Sequence, residues 1–282
     1  MTHRSRIGRT ALAGVYITLT DSARSFPRHW HGSYGIGIVD RGAQRSASGR
    51  GVVEAVAGQC ITHNPAEVHD GTPIGDQGRG WRMFHIEPDA MARLFGLTGV
   101  SALEWQAPVL HDEALRAALL RAFDATHAQG ATAGGADPAA AGLLEEALLL
   151  AVGRCLAVGQ ARQAALPSAG CTGLVMSRLA DDVEHAPTLD ELAALAGTSR
   201  FALVRQFRRS HGLPPLAWLM QLRLQRARQR IAAGWSLADT ALSCGFSDQS
   251  HLTRLFTRQF GYTPGHWRSA AGVCARGRAT TF

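Results

Sequence analysis

The sequence predicts an α+β chain, strands first and helices afterwards, whose two halves carry different charge. Three observations lead there. From Met1 to Pro88, short apolar stretches alternate with glycine-containing turns, the pattern of strands. Beyond Pro88 the apolar spacing lengthens to three and four residues, the pattern of helices. Charge is the third: residues 1–170 hold 15 Arg and 15 acids, whereas Ser199 to Phe282 hold 13 Arg against only Asp239 and Asp248. With 282 residues, 46% of them hydrophobic, the chain can bury two cores of ordinary size.

The strand candidates are Val15–Thr20, Tyr34–Asp40, Gln44–Ala47, Val52–Val56, Cys60–His63 and Trp81–Ile86, with RGAQ and VAGQ as tight turns between them. Many short strands at such spacing suggest a sandwich or barrel over residues 1–88. Trp30, Tyr34, Trp81 and Phe84 are placed as core or pocket wall. The polar residues matter more. His29, Trp30 and His31 read HWH, which sets two imidazoles on one face of an extended segment, and Glu67 and His69 follow in NPAEVHDG. His29, His31, Glu67 and His69 are the candidate hydrogen-bonding wall of a small-molecule effector pocket. Three imidazoles holding a divalent metal, or histidines that serve strand ends, remain alternatives. No metal and no cofactor is assigned.

Residues 89–160 read as helices. One starts at Pro88-Asp89 and carries Met91, Leu94 and Phe95; a second is capped by Asp112 or His111 and carries Leu115, Ala118, Leu119 and Phe123. Gln129–Ala136 is a loop by composition, and a third helix opens at Pro138 with Leu143, Leu144, Leu148 and Val152. These helices either cover the open end of the barrel or pair two protomers. Residues 161–170, with Pro167, Ser168 and Gly170, form the interdomain linker.

Residues 171–282 contain the same unit twice. Leu189, Ala193 and Gly197 match Leu237, Ala241 and Gly245 at an offset of 48; Leu203, Arg205, Phe207, Gly212 and Pro215 match Leu252, Arg254, Phe256, Gly261 and Pro264 at an offset of 49. Each copy is a helix-turn-helix. Thr188 and Ser236 cap the first helices, Thr188 with Glu191 in a capping box. Gly197 and Gly245 end them where a left-handed residue is needed. The second helices open at Ser199 and Ser247, stop at Gly212 and Gly261, and a long helix from Pro215 to about Ala233 joins the copies. Two units that only pack have no reason to collect a net +11, whereas a surface laid along phosphates does.

The LVRQF and LTRLF cores, the GF after the second turn and the GYTPGHWR ending resemble the AraC family of transcription regulators over roughly Thr188 to Arg268. The resemblance implies two recognition helices in successive major-groove segments, about 34 Å apart. Outward positions on the first are Arg200, Phe201, Ala202, Val204, Arg205 and Arg208. On the second they are Asp248, Gln249, Ser250, His251, Thr253, Arg254 and Arg258. Arg205 and Arg254 hold equivalent places and suit either guanine O6 and N7 or a phosphate; Gln249 suits adenine, and Phe201 and Ala202 a thymine methyl. Arg208 and Arg258 suit phosphates. On the connecting helix, Arg223, Arg226, Arg228 and Arg230 read as a solvated or salt-bridged face, with Arg223 a structural candidate.

The resemblance also implies a cupin-type jelly roll ahead of the DNA-binding half. Cupin metal sites combine an H-x-H pair, a glutamate soon after it and a distant histidine. His29, His31 and His69 fit three of those places, but Gly35 or Ile36 stands at the glutamate's. The expected partners are double-stranded DNA, a small-molecule effector, RNA polymerase and a second protomer. A metal-dependent cupin enzyme on a DNA-binding tail and a ligand-independent dimeric regulator are the competing readings. Five unpaired-looking cysteines imply reduced thiols. No signal peptide follows MTHRSRIGRT, and the run Leu143–Val152 is broken by Glu145 and Glu146, so a soluble, cytoplasmic protein without a membrane partner is expected.

Overall fold

The computed structural model describes residues 3–96, 103–130, 138–158 and 171–271, and the chain divides into two compact units, residues 1–166 and 167–282. The linker at 161–170 lies outside the described residues.

The first unit contains β1 (His3–Arg9), β2 (Val15–Ser22), β3 (Phe26–His29), β4 (Tyr34–Arg41), β5 (Ala43–Ser48), β6 (Gly51–Val56), β7 (Cys60–His63), β8 (His69–Ile74), β9 (Arg79–Ile86) and β10 (Val109–Leu110). They form two antiparallel sheets, one ordered β1-β2-β9-β4-β7-β10 and the other β3-β8-β5-β6. All six anticipated strands are present. Four others escaped sequence reading because their composition argues against strands. β1 (HRSRIGR) is an edge strand rich in charge, β3 contains Pro27, and β8 (HDGTPI) contains Gly71 and Pro73. β10 is two residues long and adds to β7 from beyond residue 88.

The strand pleat separates two environments. Ile36 and Ile38 of β4 and Phe84 and Ile86 of β9 share one face. There they join a single apolar core with Leu119, Phe123, Leu144 and Leu148 of α2 (Glu113–Gly130) and α3 (Pro138–Val158), and with Met91 of α1 (Pro88–Phe95). The Phe84 and Phe123 rings stack 4.3 Å apart. The helices therefore pack on the outer face of the six-stranded sheet, which carries these apolar side chains. Asp112 caps α2 by accepting from the Leu115 amide at 2.9 Å and pairs with Arg154 of α3 at 2.8 Å. Gln129 and Gly130 complete α2; the remainder of the expected loop, 131–136, lies outside the described residues.

The opposite pleat positions face the four-stranded sheet, where Val39, Ile61 and Met83 meet Ala55. Arg79, 1% exposed, links the sheets: its Nε donates to Gln44 at 2.9 Å and its guanidinium lies over Phe26 and Trp81. Trp30, Tyr34 and Phe84 are buried, as a core role requires. Burial pushes the thiols of Cys60 and Cys155 up to about 12, so both stay protonated and inert at neutral pH.

The second unit is helical: α4 (Cys171–Asp181), α5 (Leu189–Leu195), α6 (Arg200–His211), α7 (Pro215–Ala232), α8 (Leu237–Ser243), α9 (Gln249–Phe260) and α10 (Pro264–Ala270). The anticipated caps form. Thr188 and Glu191 make both halves of a capping box, and Ser236 and Ser199 accept from the amides of Asp239 and Ala202. Helix α9 differs. Its cap is Asp248, not Ser247, because a carboxylate is the stronger acceptor: it takes the His251 amide at 2.7 Å, while the Ser247 hydroxyl donates to Asp248 at 3.1 Å. Gly212 and Gly261 close α6 and α9 at φ 76° and 81°. Leu203, Phe207, Leu252 and Phe256 are fully buried.

The arginines of α7 are not a solvated face. Arg223 donates from Nε to the Val183 carbonyl at 2.7 Å and from a terminal nitrogen to the Glu184 carbonyl at 3.0 Å. Arg226 donates to the Ala180 carbonyl. Arg228 is 3% exposed, its guanidinium 4.2 Å from the Trp267 ring centroid, and Trp267 Nε1 donates back to the Arg228 carbonyl at 2.8 Å. Arg230 lies over Trp235. Four charges that look like surface on a helical wheel tie α7 to its neighbours through carbonyls and aromatic faces. Among the described residues no helix is long and apolar enough to cross a membrane.

Candidate nucleic-acid interface and barrel histidine site

Helices α6 and α9 are built alike. In each, the buried leucine and phenylalanine fix the inner face, and the cap fixes the entry. Arg205 and Arg254 are then each the sixth helical residue. Both are exposed, and neither forms an ion pair among the described residues. Arg208 and Arg258 lie one turn farther along, also exposed. Phe201 is 87% exposed, so its ring is open to contact from outside. Ala202 and Val204 are partly covered, and so is Thr253. Gln249 and Ser250 are exposed at the first turn of α9.

Two positions are less available than the sequence implied. Arg200 pairs with Asp190 at 3.2 Å. The His251 ring is partly buried, with Nδ1 3.1 Å from the Ser247 hydroxyl and its edge toward Phe246. It is therefore part of the cap of α9 as well as of its outer surface.

The barrel site assembles from both sheets. His29 of β3 and His69 of β8 are direct cross-strand partners on the four-stranded sheet, their rings 4.6 Å apart. His31, just past β3, packs against both at 4.9 and 5.3 Å. One ligand nitrogen from each of His29, His31 and His69 lies within 4.8 Å of the others. From the six-stranded sheet come two histidines that sequence reading missed. His63 of β7 and His85 of β9 both pair in register with Gly35 of β4, so they flank that glycine on the inner face. The His63 ring lies 4.7 Å from His31 and 5.3 Å from His69. Finding them from sequence requires the cross-strand register, since each stands alone in its own strand.

Glu67 does not line the site as a free carboxylate. It forms an ion pair with Arg50, accepts the Asn64 amide at 3.0 Å, and so closes the loop before β8. That pairing outweighs its burial and holds its carboxyl below the ordinary value. Arg50, in the turn of the β5–β6 hairpin, thereby makes Glu67 a loop clamp.

Hydrogen bonds fix the imidazoles. His29 Nδ1 sits 2.7 Å from the Pro27 carbonyl and His69 Nδ1 2.8 Å from the Glu67 carbonyl, so each carries its proton on Nδ1 and presents a bare Nε2. His85 spends both nitrogens on Thr18 at 3.0 Å and Ser33 at 3.5 Å, and stacks on Tyr16. Burial lowers His29 to about 3 and His63 and His69 to about 4, with neighbouring imidazoles adding to the effect; His31 falls well below its ordinary value for the same reasons. At neutral pH the cluster is uncharged and rich in lone pairs.

Residues 12–152 match the AraC-like ligand binding domain family, and residues 192–270 match a helix-turn-helix domain family. The HTH-type transcriptional regulator YbfI of Bacillus subtilis is 26% identical over 237 residues, 81% of this chain and 82% of that protein. The HTH-type transcriptional activator RhaS of Escherichia coli is 35% identical over 98 residues, 34% of this chain and 35% of its own length. Among solved structures, apo ToxT of Vibrio cholerae superposes with a TM-score of 0.56 at 11% identity, covering 93% of this chain and 100% of that one, a likeness of fold. With a ligand-binding domain ahead of a helix-turn-helix DNA-binding domain, the chain belongs to the AraC family of transcription regulators.

Proposed function

We propose that the protein activates transcription by gripping its operator with α6 and α9 and engaging RNA polymerase there, under control of a small effector held between the barrel sheets. The observation that carries the reading is the equivalence of Arg205 and Arg254, exposed at the same position of two rigidly capped helices. Gln249, Ser250, His251 and Thr253 read base edges beside Arg254, and Ala202, Val204 and Phe201 give apolar contact beside Arg205. Arg200, Arg208 and Arg258 serve phosphates. The imidazoles of His29, His31 and His69 form the effector wall, with Glu67 behind them.

Two protomers pair through α3, where Leu143 and Leu150, two turns apart on one face, are 62% and 51% exposed. The protein works in the cytoplasm and without catalysis. Gly35 at the place of a catalytic-type metal carboxylate removes the main support for the enzyme alternative.

Arg254→Ala is expected to weaken the cognate complex by about 1–3 kcal/mol and to relax one base position in a binding selection. An unchanged preference would contradict base contact. Arg258→Ala is expected to weaken every sequence alike and to reduce the salt slope by about 1. A loss confined to particular base pairs, seen in the same titrations, would contradict the phosphate role.

A further inference from the structure

We propose that the barrel interior is a metal site, in which His29, His31 and His69 hold a divalent transition-metal ion and His63 takes the place of the glutamate that Gly35 lacks. This deepens the effector-site reading above, but the two can fail separately.

Gly35 is the starting point. A Cβ at this position would lie 2.0 Å from His63 Nε2, so no residue larger than glycine coexists with the His63 ring. The ring occupies the space that a side chain on residue 35 would use. It is 6% exposed, and neither nitrogen meets ordinary hydrogen-bond geometry, its backbone contact to Asn64 being a weak one. A buried imidazole so weakly partnered costs on the order of 1–3 kcal/mol, and a lone pair directed at a cation removes that cost. The other imidazoles are prepared for the same ion. His29 and His69 have their Nδ1 protons committed to the Pro27 and Glu67 carbonyls, the outer arrangement that orients a ligating Nε2.

The size and charge of the cluster argue for an ion over an organic molecule. Three nitrogens within 4.8 Å of one another close around a single atom, with ring shifts under about 1 Å bringing each to ~2.1 Å. Neutral imidazoles give no attraction to an anion, and the nearby carboxylates are committed elsewhere, Glu67 to Arg50 and Asn64 and Asp70 to the Ala47 amide and Arg28. An all-imidazole set selects zinc-class ions over magnesium or calcium, which prefer oxygen.

The test uses the full chain, stripped with a chelator and reloaded with Zn2+ or Co2+. Expected is one ion per chain after gel filtration, with the visible ligand-field bands of low-coordinate Co2+. His29→Gln and His63→Gln should each lower affinity at least ~10-fold, by the scale of single changes around metal sites. His185→Gln, on an exposed loop of the other unit, should not. If His63→Gln fails to fold, Gly35→Ala reads the same contact by displacing the ring. Failure to retain an ion, or retention unaffected by both the His29 and His63 changes, overturns the site. An affinity that depends on His29 but not on His63 or Gly35 overturns the replacement of the glutamate. Where no ion is retained, stabilisation of the metal-free chain by an organic metabolite leaves the effector reading standing while this one falls.

Discussion

Replacing Phe256 by alanine is expected to destabilise the C-terminal unit by about 3–5 kcal/mol and to abolish DNA binding at physiological temperature. Phe256 is fully buried in α9, with Phe260 4.6 Å and Tyr262 6.0 Å from its ring. Truncation removes the ring's transfer free energy and leaves a cavity that the surrounding aromatics cannot collapse into. A domain stable by only about 5–15 kcal/mol loses a large share of that margin. The informative control is Phe201→Ala on α6, the same chemical change at an exposed ring. It should alter stability by no more than about 0.5 kcal/mol while weakening the DNA complex. Chemical denaturation and operator titration of both variants check the pair. Equal effects on stability would mean that Phe201 is packed and not presented.

Gly245→Ala is expected to cost about 2–4 kcal/mol, and Gly197→Ala at the equivalent place in the first copy only about 1–2. Both glycines are left-handed, at φ 73° and 62°, so the backbone penalty is common to them. The difference lies in what a Cβ would meet. At Gly245 it falls 2.7 Å from the Glu184 carbonyl oxygen and 2.5 Å from the Arg223 guanidinium; at Gly197 it meets open space. Because Arg223 donates to Val183 and Glu184, the displacement also breaks the tie between α7 and the segment before α5. Thermal or denaturant unfolding of the two variants side by side gives the comparison, and equal losses would contradict the packing described around Arg223.

The C-terminal unit was legible because its signals are local. Caps, left-handed glycines and helical spacing act within a few residues, and the repeat states each of them twice. What failed there was non-local. Arg228 reads as surface on a helical wheel, yet Trp267, far along the chain, covers it. Asp248 caps α9 in place of Ser247 because its carboxylate is the stronger of two adjacent acceptors. The barrel was less legible for the same reason. Each of His63 and His85 is the one histidine of its strand, and only the register beside Gly35 unites them with the HWH segment. The engagement of Glu67 was not legible because its partner, Arg50, comes from a different hairpin.

The most direct measurement is an in vitro selection of duplex DNA by the full chain at moderate salt, repeated with the Arg205→Ala, Arg254→Ala double variant. The expected result is a motif of two blocks, one helical turn or about 10 base pairs apart, with one position in each block relaxed in the variant. A single block, or two blocks unchanged by the double substitution, would contradict the pairing of α6 and α9 as twin readers of the major groove.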